Sequence, residues 1–524
     1  MSDEKGYSGK SEAEYAAISL GKGSTFLFFG RFLFYLIGFI GFAIVARLIV
    51  SFYGNAEPLG WIYVAATIPS LISILGDFGV GYGITNKFIV NIRRNEKDKA
   101  MQYFWTGVFY SLFLNSLYSI AAFFLGYYII IYIFQKPEVL FLLPIYSSGI
   151  MLSWFNGISW NLGILLDKTW INGIMLLISI ITQYGFSIAF LILGFGIWGV
   201  AFAASILAPL LSGCFGILFS YRYIDFKMPN LDVLKDSLKF GFPVYAGNLI
   251  GSIQSNTFNA LLSRFASSLE IAYFSVAQRL SPLIDVITYP FNTLMFPTFS
   301  RIDSKGNVVS FFNEAVKINA ILSFIVPMLI LSMPKNLLTL FFGQSYSSAY
   351  IYLILLAIIW IKSSLGGYIM SNLLMGQGKT KFVFNITVLG SLTALASGLV
   401  LIPLYSVIGY LISTMIAFWP SFILSLRYVK KEFTADYPYS EVIKCFGVAS
   451  ISALISFLIV EYTPSGNTFK TILAGVFGFL VYFYLIKKLK LVSDLEYDLL
   501  EKSFKNIPYI GNLLLKILKI YTKL

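Results

Sequence analysis

The sequence predicts an all-α polytopic membrane protein of about 14 transmembrane helices, and three observations predict it. Hydrophobic residues make up 57% of the 524-residue chain and charged residues only 12%. Soluble domains carry about one quarter charged residues, and a water-soluble core stops growing well short of this length. Apolar stretches of bilayer-crossing length recur along the whole chain, and Lys and Arg concentrate in alternate connections between them.

The expected spans run at roughly 24–50, 58–84, 102–133, 138–165, 170–193, 197–220, 240–263, 270–298, 312–333, 346–375, 382–402, 405–426, 441–461 and 468–486. An even number of crossings puts both termini on one side. One set of alternate segments holds 30 of the 38 Lys and Arg residues, and the opposite set holds five: Arg47, Lys136, Arg264, Lys335 and Lys470. That bias predicts a multi-pass protein of the cell (plasma) membrane with both termini in the cytoplasm. Residues 1–23 are polar, and no cleavable leader is expected there. In the tail, Ser493 and Glu496 form a capping-box pattern. Residues 510–524 mix apolar side chains with Lys516, Lys519 and Lys523, the pattern of a basic helix lying on anionic lipid.

The composition closes several function classes. The chain has no histidine, which removes the commonest general base and the commonest zinc ligand. Its two cysteines, Cys214 and Cys445, supply neither a disulfide framework nor a metal set. A net charge of +13 would suggest nucleic acid in a soluble protein. Here the cations sit in short loops between apolar spans, so they read as orientation signals and no nucleic-acid partner is expected.

An internal repeat organises the chain. The stretch from Leu59 to Ile72 aligns with that from Ile271 to Ile284, placing Val64-Ala65 on Val276-Ala277. Lys168-Thr169 aligns with Lys379-Thr380, and Gly199 with Gly409, at offsets of 210–212 residues throughout. Duplication predicts an N-lobe at 24–221 and a C-lobe at 240–430, six helices each, around a central cavity. A linker at 222–239 joins them. Two further helices follow at 441–486, then a cytoplasmic amphipathic tail at 487–524. Six-helix lobes insert the same way up, and rocking one against the other gives alternating access. Two lobes already enclose a cavity, so a monomer is expected.

Four stretches carry a family resemblance: Gly21 to Ser24 with Ala46-Arg47-Leu48; Leu75 to Gly79 with Gly83 to Asn86; Phe296 to Arg301; and Gly376 to Thr380 with Leu401 to Leu404 and Ile408-Gly409. In order and spacing they resemble the polysaccharide-transporter branch of the multidrug/oligosaccharidyl-lipid/polysaccharide exporter superfamily, which includes Wzx-type flippases. The resemblance implies a flippase. It would move an oligosaccharide linked through phosphate or pyrophosphate to a polyprenyl lipid from the cytoplasmic to the outer leaflet. Glycosyltransferases or a polymerase of the same pathway would be its partners.

Such a substrate needs an anion site, and charges inside spans are costly enough to be informative, at about 2.5–3.5 kcal/mol or more each. Arg279 is the first candidate, roughly ten residues into its span and thus near the midplane. A guanidinium can grip phosphate oxygens with two parallel hydrogen bonds. A pair with Asp285, six residues on, does not share its helix face. Arg31 and Lys362 complete the expected anion-cavity set, with snorkelling and an acidic partner as their respective structural alternatives. Asp285 and Asp77 are candidates for coupling to H+ or Na+, although Asp77, near a helix end, is also placed to be satisfied by Lys87 or by local backbone donors. Asn248, Gln254, Asn256 and Asn259 are candidate sugar contacts, and amides of this kind also join helices.

Two other classes compete. A cation-coupled drug antiporter would want acidic residues in the cavity, whereas the intramembrane charges are three basic against two acidic. A membrane-embedded enzyme or scaffold of the polysaccharide pathway is the other. The loops are short and lack histidine, and no cofactor motif is present, so the chain is not expected to be an enzyme.

Overall fold

The computed structural model describes residues 12–165, 168–220, 225–302, 304–464 and 466–492. These residues are nearly all helical and contain no strand. In lipid a helix satisfies its own backbone polar groups, which is why uninterrupted apolar sequence folds this way. The tail beyond Leu491-Val492, with its Ser493–Glu496 pattern and basic helix, lies outside the described residues.

Among the described residues, eleven helices are long and apolar enough to cross a membrane. The difference from the expected fourteen has identifiable sources. Helix α16, Thr380–Phe433, runs 54 residues, but Ser406 has non-helical φ 51° and ψ −127°. A straight helix of that length would span about 80 Å, well over twice a hydrocarbon core. Two helices therefore meet at Ser406, where a Cβ on Gly409 would lie 2.0 Å from the Leu401 carbonyl oxygen. The expected seventh segment, α9 (Leu231–Phe265), is helical but rich in polar side chains. The expected eighth is split into α10 (Ser268–Gln278) and α11 (Pro282–Ser300).

The chain divides into two compact units: residues 1–45, 75–127 and 141–247, and residues 46–74, 128–140 and 248–524. The first contains α3 (Val80–Arg93), α4 (Lys97–Tyr128), α5 (Leu143–Leu165), α6 (Thr169–Ile192), α7 (Gly196–Phe202) and α8 (Ala208–Ser220), together with most of α1 (Glu12–Tyr53). Small residues let these helices approach, as is usual where lipid removes the hydrophobic drive between helices. Ser159 Oγ donates to the Gly213 carbonyl across α5 and α8 at 2.7 Å. Gly30 and Gly173 bring α1 and α6 backbone to backbone. Buried Phe88, Met101, Phe104 and Leu162 form an apolar cluster. The ion pair Lys87–Asp236 ties α3 to the start of α9, and Lys97–Asp225 and Lys227–Asp98 tie α4 to the segment just before α9.

The second unit is built on α12 (Lys305–Ser332), the most buried of the eleven spans. The two C-terminal helices, α17 (Tyr439–Tyr462) and α18 (Asn467–Lys488), pack against it. Tyr482, fully buried, donates from its hydroxyl to the Ile321 carbonyl at 2.6 Å, and Ser456 Oγ donates to Ala474 at 2.9 Å. Helix α2 (Glu57–Ile72) lies on α10, where Gly60 meets the Ser268 backbone too closely for any side chain. Thr67 and Ser263 hydroxyls meet at 3.0 Å between α2 and α9.

Candidate functional site

In the second unit, α14 (Tyr350–Ser364) stops at Leu365-Gly366, where Gly366 takes φ +77°, and α15 (Gly367–Gly376) restarts. Lys362 occupies the last turn of α14, where the helix dipole favours a cation. Its ammonium faces a cavity of about 540 Å³ that Gln254 also lines, with Thr387, Thr414, Phe418 and Ser421 from the two halves of α16. The Lys362 Nζ lies 5.7 Å from the Phe418 ring centroid, within cation–π range. No carboxylate lines this cavity among the described residues. The sequence expectation named two separate roles for Lys362 and Gln254, and the fold brings them to one wall.

In the first unit, Asp77 lines a smaller cavity of about 210 Å³ with Ser111, Asn115, Ser153 and Asn161. Its carboxylate is engaged by the backbone: Oδ1 accepts from Gly79 N–H at 2.9 Å and Oδ2 from Gly81 N–H at 2.7 Å. Those are the first amides of α3, otherwise without intrahelical partners. Gly76, Phe78 and Gly79 all have positive φ, so the chain turns sharply ahead of the helix. Tyr110 and Tyr118 hydroxyls donate to the Asp77 and Gly76 carbonyls, tying α4 to the turn. Lys87, the alternative partner, pairs instead with Asp236 at 2.8 Å, and with Tyr103 holds that carboxylate below its ordinary pKa.

Arg279 stands at the C-terminal end of α10, at the break before Pro282. Eleven helical residues place this break about 16 Å from the start of α10, half a hydrocarbon core. The Arg279 side chain is exposed, and so is Arg31 on α1. Arg279 does not line the Lys362 cavity. Asp285 lies in α11, and its side chain is outside the described residues. Of the amides on α9, Asn259 Oδ1 accepts from the Tyr63 hydroxyl at 2.8 Å and so joins α9 to α2. Asn256 turns its amide back to the Ser252 carbonyl of its own helix at 2.9 Å. Asn248 is exposed and Gln254 half-buried.

In the sequence Arg47 and Lys136 stand out only as two of the five cations on the sparsely charged side. Both are clamps. Arg47 Nε donates to the Phe341 carbonyl at 3.0 Å, and its Nη2 reaches the Leu340 and Thr339 carbonyls. These oxygens close α13 (Pro334–Phe342): Leu340 and Phe341 lie in the last turn, past the reach of intrahelical donors, while Thr339 also accepts from Gly343 N–H at 3.1 Å. Tyr346 returns a hydroxyl hydrogen bond to the Ala46 carbonyl at 3.1 Å. Lys136, only 7% exposed, donates to the Ala266 carbonyl at 2.7 Å. Burial pushes its pKa down to about 8, against partial opposition from Glu138, Glu270 and Glu57. The sequence signal was available: a lysine between Gln135 and Pro137, in the tight link between two spans.

The sequence profile of the polysaccharide biosynthesis protein family matches residues 44–351. A structure of the lipid II flippase MurJ in an inward closed conformation superposes with a TM-score of 0.70 at 18% identity, covering 88% of this chain and 98% of that one. An inward-facing multidrug resistance MATE transporter of the MOP superfamily superposes with a TM-score of 0.59 at 18% identity, covering 76% of this chain and 94% of that one. An outward-facing MATE transporter of the same superfamily gives 0.50 at 19% identity, over 80% and 95%. No curated protein sequence matches the chain.

Proposed function

Because the chain belongs to the polysaccharide biosynthesis protein family, we propose that it is a flippase for a polyprenyl phosphate- or pyrophosphate-linked oligosaccharide, moving it from the cytoplasmic to the outer leaflet. The family match carries this reading, and the fold shared with the lipid II flippase supports it. The polar glycan and its phosphate cross within the protein while the polyprenyl tail stays in lipid. Arg279, at the break between α10 and α11, holds the phosphate through the two parallel hydrogen bonds that a guanidinium offers. Both termini are cytoplasmic, by the bias of basic residues. Asp285 is the residue for any H+ or Na+ coupling, since the Asp77 carboxylate is occupied by backbone amides. The chain acts as a monomer beside the glycosyltransferases or polymerase that make and use its cargo.

A drug-antiporter reading calls for carboxylates available to a cation. The Lys362 cavity has none among the described residues, and Asp77 serves as a helix cap.

Binding to the purified chain tests the proposal. A polyprenyl-pyrophosphate oligosaccharide should stabilise it in a thermal melt more than the free oligosaccharide or the bare polyprenyl alcohol does. Stabilisation by a cationic dye and not by the lipid-linked sugar would contradict it.

A further inference from the structure

The Lys362 cavity has a donor and acceptor pattern that specifies a ligand more narrowly than its size does. Four hydroxyls on its wall have already committed their protons. Thr387 Oγ1 donates to the Val383 carbonyl at 2.9 Å, Thr414 Oγ1 to Leu411 at 2.7 Å, Ser421 Oγ to Ile386 at 3.0 Å and Ser425 Oγ to Ser421 at 2.7 Å. Each hydroxyl has one proton and two lone pairs, so these four offer the cavity oxygen lone pairs and no donor. Beside these acceptors stand one basic side chain, Lys362, and the amide of Gln254, with no carboxylate lining the cavity among the described residues. One aromatic face, Phe418, lies beside the ammonium.

Three ligand types can be weighed against this wall. An inorganic cation would suit the hydroxyl oxygens but meets the ammonium's charge. A bare oxyanion such as phosphate would suit the ammonium and the Gln254 amide, yet it carries no donor for the lone pairs of the four committed hydroxyls. A ligand that carries one anionic group and several hydroxyl donors, with an apolar ring face, satisfies all three features. At about 540 Å³ the cavity is in the usual range for a small-molecule site, and exposed Tyr368 stands at its rim.

We propose that this cavity is a subsite for an acidic sugar, a hexuronic acid or one of like chemistry, in the carried glycan. Its carboxylate pairs with Lys362, its hydroxyls donate to Thr387, Thr414, Ser421 and Ser425, and its ring rests on Phe418. The inference rests on the flippase reading for the statement that the sugar belongs to a carried glycan. The subsite itself is a binding claim that needs no transport. Lys362 is then a specificity residue of the C-terminal half, separate from the phosphate site at Arg279.

The test is equilibrium binding to the full chain in detergent with three probes: methyl glucuronide, methyl glucoside and inorganic phosphate. The glucuronide should bind saturably and at least about tenfold tighter than the glucoside, the usual scale for one charge-assisted hydrogen bond, and equimolar phosphate should not displace it. Lys362→Gln should abolish that preference, and Lys362→Arg should keep most of it. If Lys362→Gln fails to fold, Thr387→Val serves in its place and should weaken both sugars by a similar factor. Equal binding of the two sugars, absence of saturable binding, displacement by phosphate, or a preference that survives Lys362→Gln would each overturn the proposal. Flipping of a neutral lipid-linked glycan by a chain that shows no glucuronide preference would sink this inference alone and leave the flippase reading standing.

Discussion

The ammonium of Lys136 reaches the backbone carbonyl of Ala266 at 2.7 Å, where α9 has just ended. A carbonyl at a helix end has no intrahelical donor, so a side chain from the link between two other spans supplies one. The bond has a cost that depends on pH. With the pKa lowered from 10.5 to about 8, the packed state binds fewer protons than the unfolded chain between those values, so stability should rise with pH across that window. Below about pH 8 the full cost of burying the charge is present. Lys136→Met removes the titration, so the melting temperature of the native chain should climb relative to this variant as pH goes from 8 towards 10.5. A constant difference across the range would show that Lys136 keeps its ordinary pKa.

Arg47 should behave as a clamp with geometry, not as a charge. It serves up to three carbonyls at the end of α13 through two nitrogens of one planar group. Lysine cannot reproduce that fork. Arg47→Lys is therefore expected to lose nearly as much as Arg47→Ala, about 1–3 kcal/mol. Faster amide hydrogen exchange over Pro334–Phe342 in both variants would report the released helix end. Normal exchange in Arg47→Lys would mean that charge alone suffices.

The turn before α3 depends on two glycines that face each other. Gly79 has φ +87°, and a Cβ there would lie 2.3 Å from the Gly241 carbonyl oxygen; a Cβ on Gly241 would lie 1.7 Å from that of Gly79. Either alanine substitution should cost at least about 2–3 kcal/mol, because backbone must move. Gly247→Ala is the contrast: nothing lies within 4 Å, and alanine is the better helix former by about 1 kcal/mol. Its melting temperature should hold or rise, while those of the other two fall.

Asp77 separates a cap from a coupling residue. Asp77→Asn keeps an oxygen for the α3 amides and should cost under about 1 kcal/mol, whereas Asp77→Ala should cost about 1–2 kcal/mol. Since asparagine cannot titrate, ion-driven transport that survives Asp77→Asn agrees with the cap. Loss of gradient dependence with intact folding would return Asp77 to the coupling role.

Some of this was legible in the sequence because it depends on local pattern. Apolar runs of bilayer length and alternating cations need no tertiary information, and they predicted the helical membrane fold. The span count was less direct. The polar face of α9 and the break at Arg279 reduce the apolar signal where the chain carries Asn248, Gln254 and Arg279. The individual site partners were not legible. Nothing local to Asn259 says that it meets Tyr63, 196 residues earlier, and nothing local to Lys362 says that α16 folds both halves around it. Arg47 was visible as a charge at a span end, but its acceptors are carbonyls on a helix 292–294 residues away, and every residue has a carbonyl.

The central claim is tested most directly by reconstituting the chain in proteoliposomes. A fluorescent polyprenyl-pyrophosphate oligosaccharide is placed in one leaflet and its arrival in the other is followed with an impermeant quencher. The native chain should move it, and Arg279→Ala, folded by its thermal melt, should not. Failure of the native chain to move the lipid-linked sugar, together with export of a cationic dye against an ion gradient, would contradict the account.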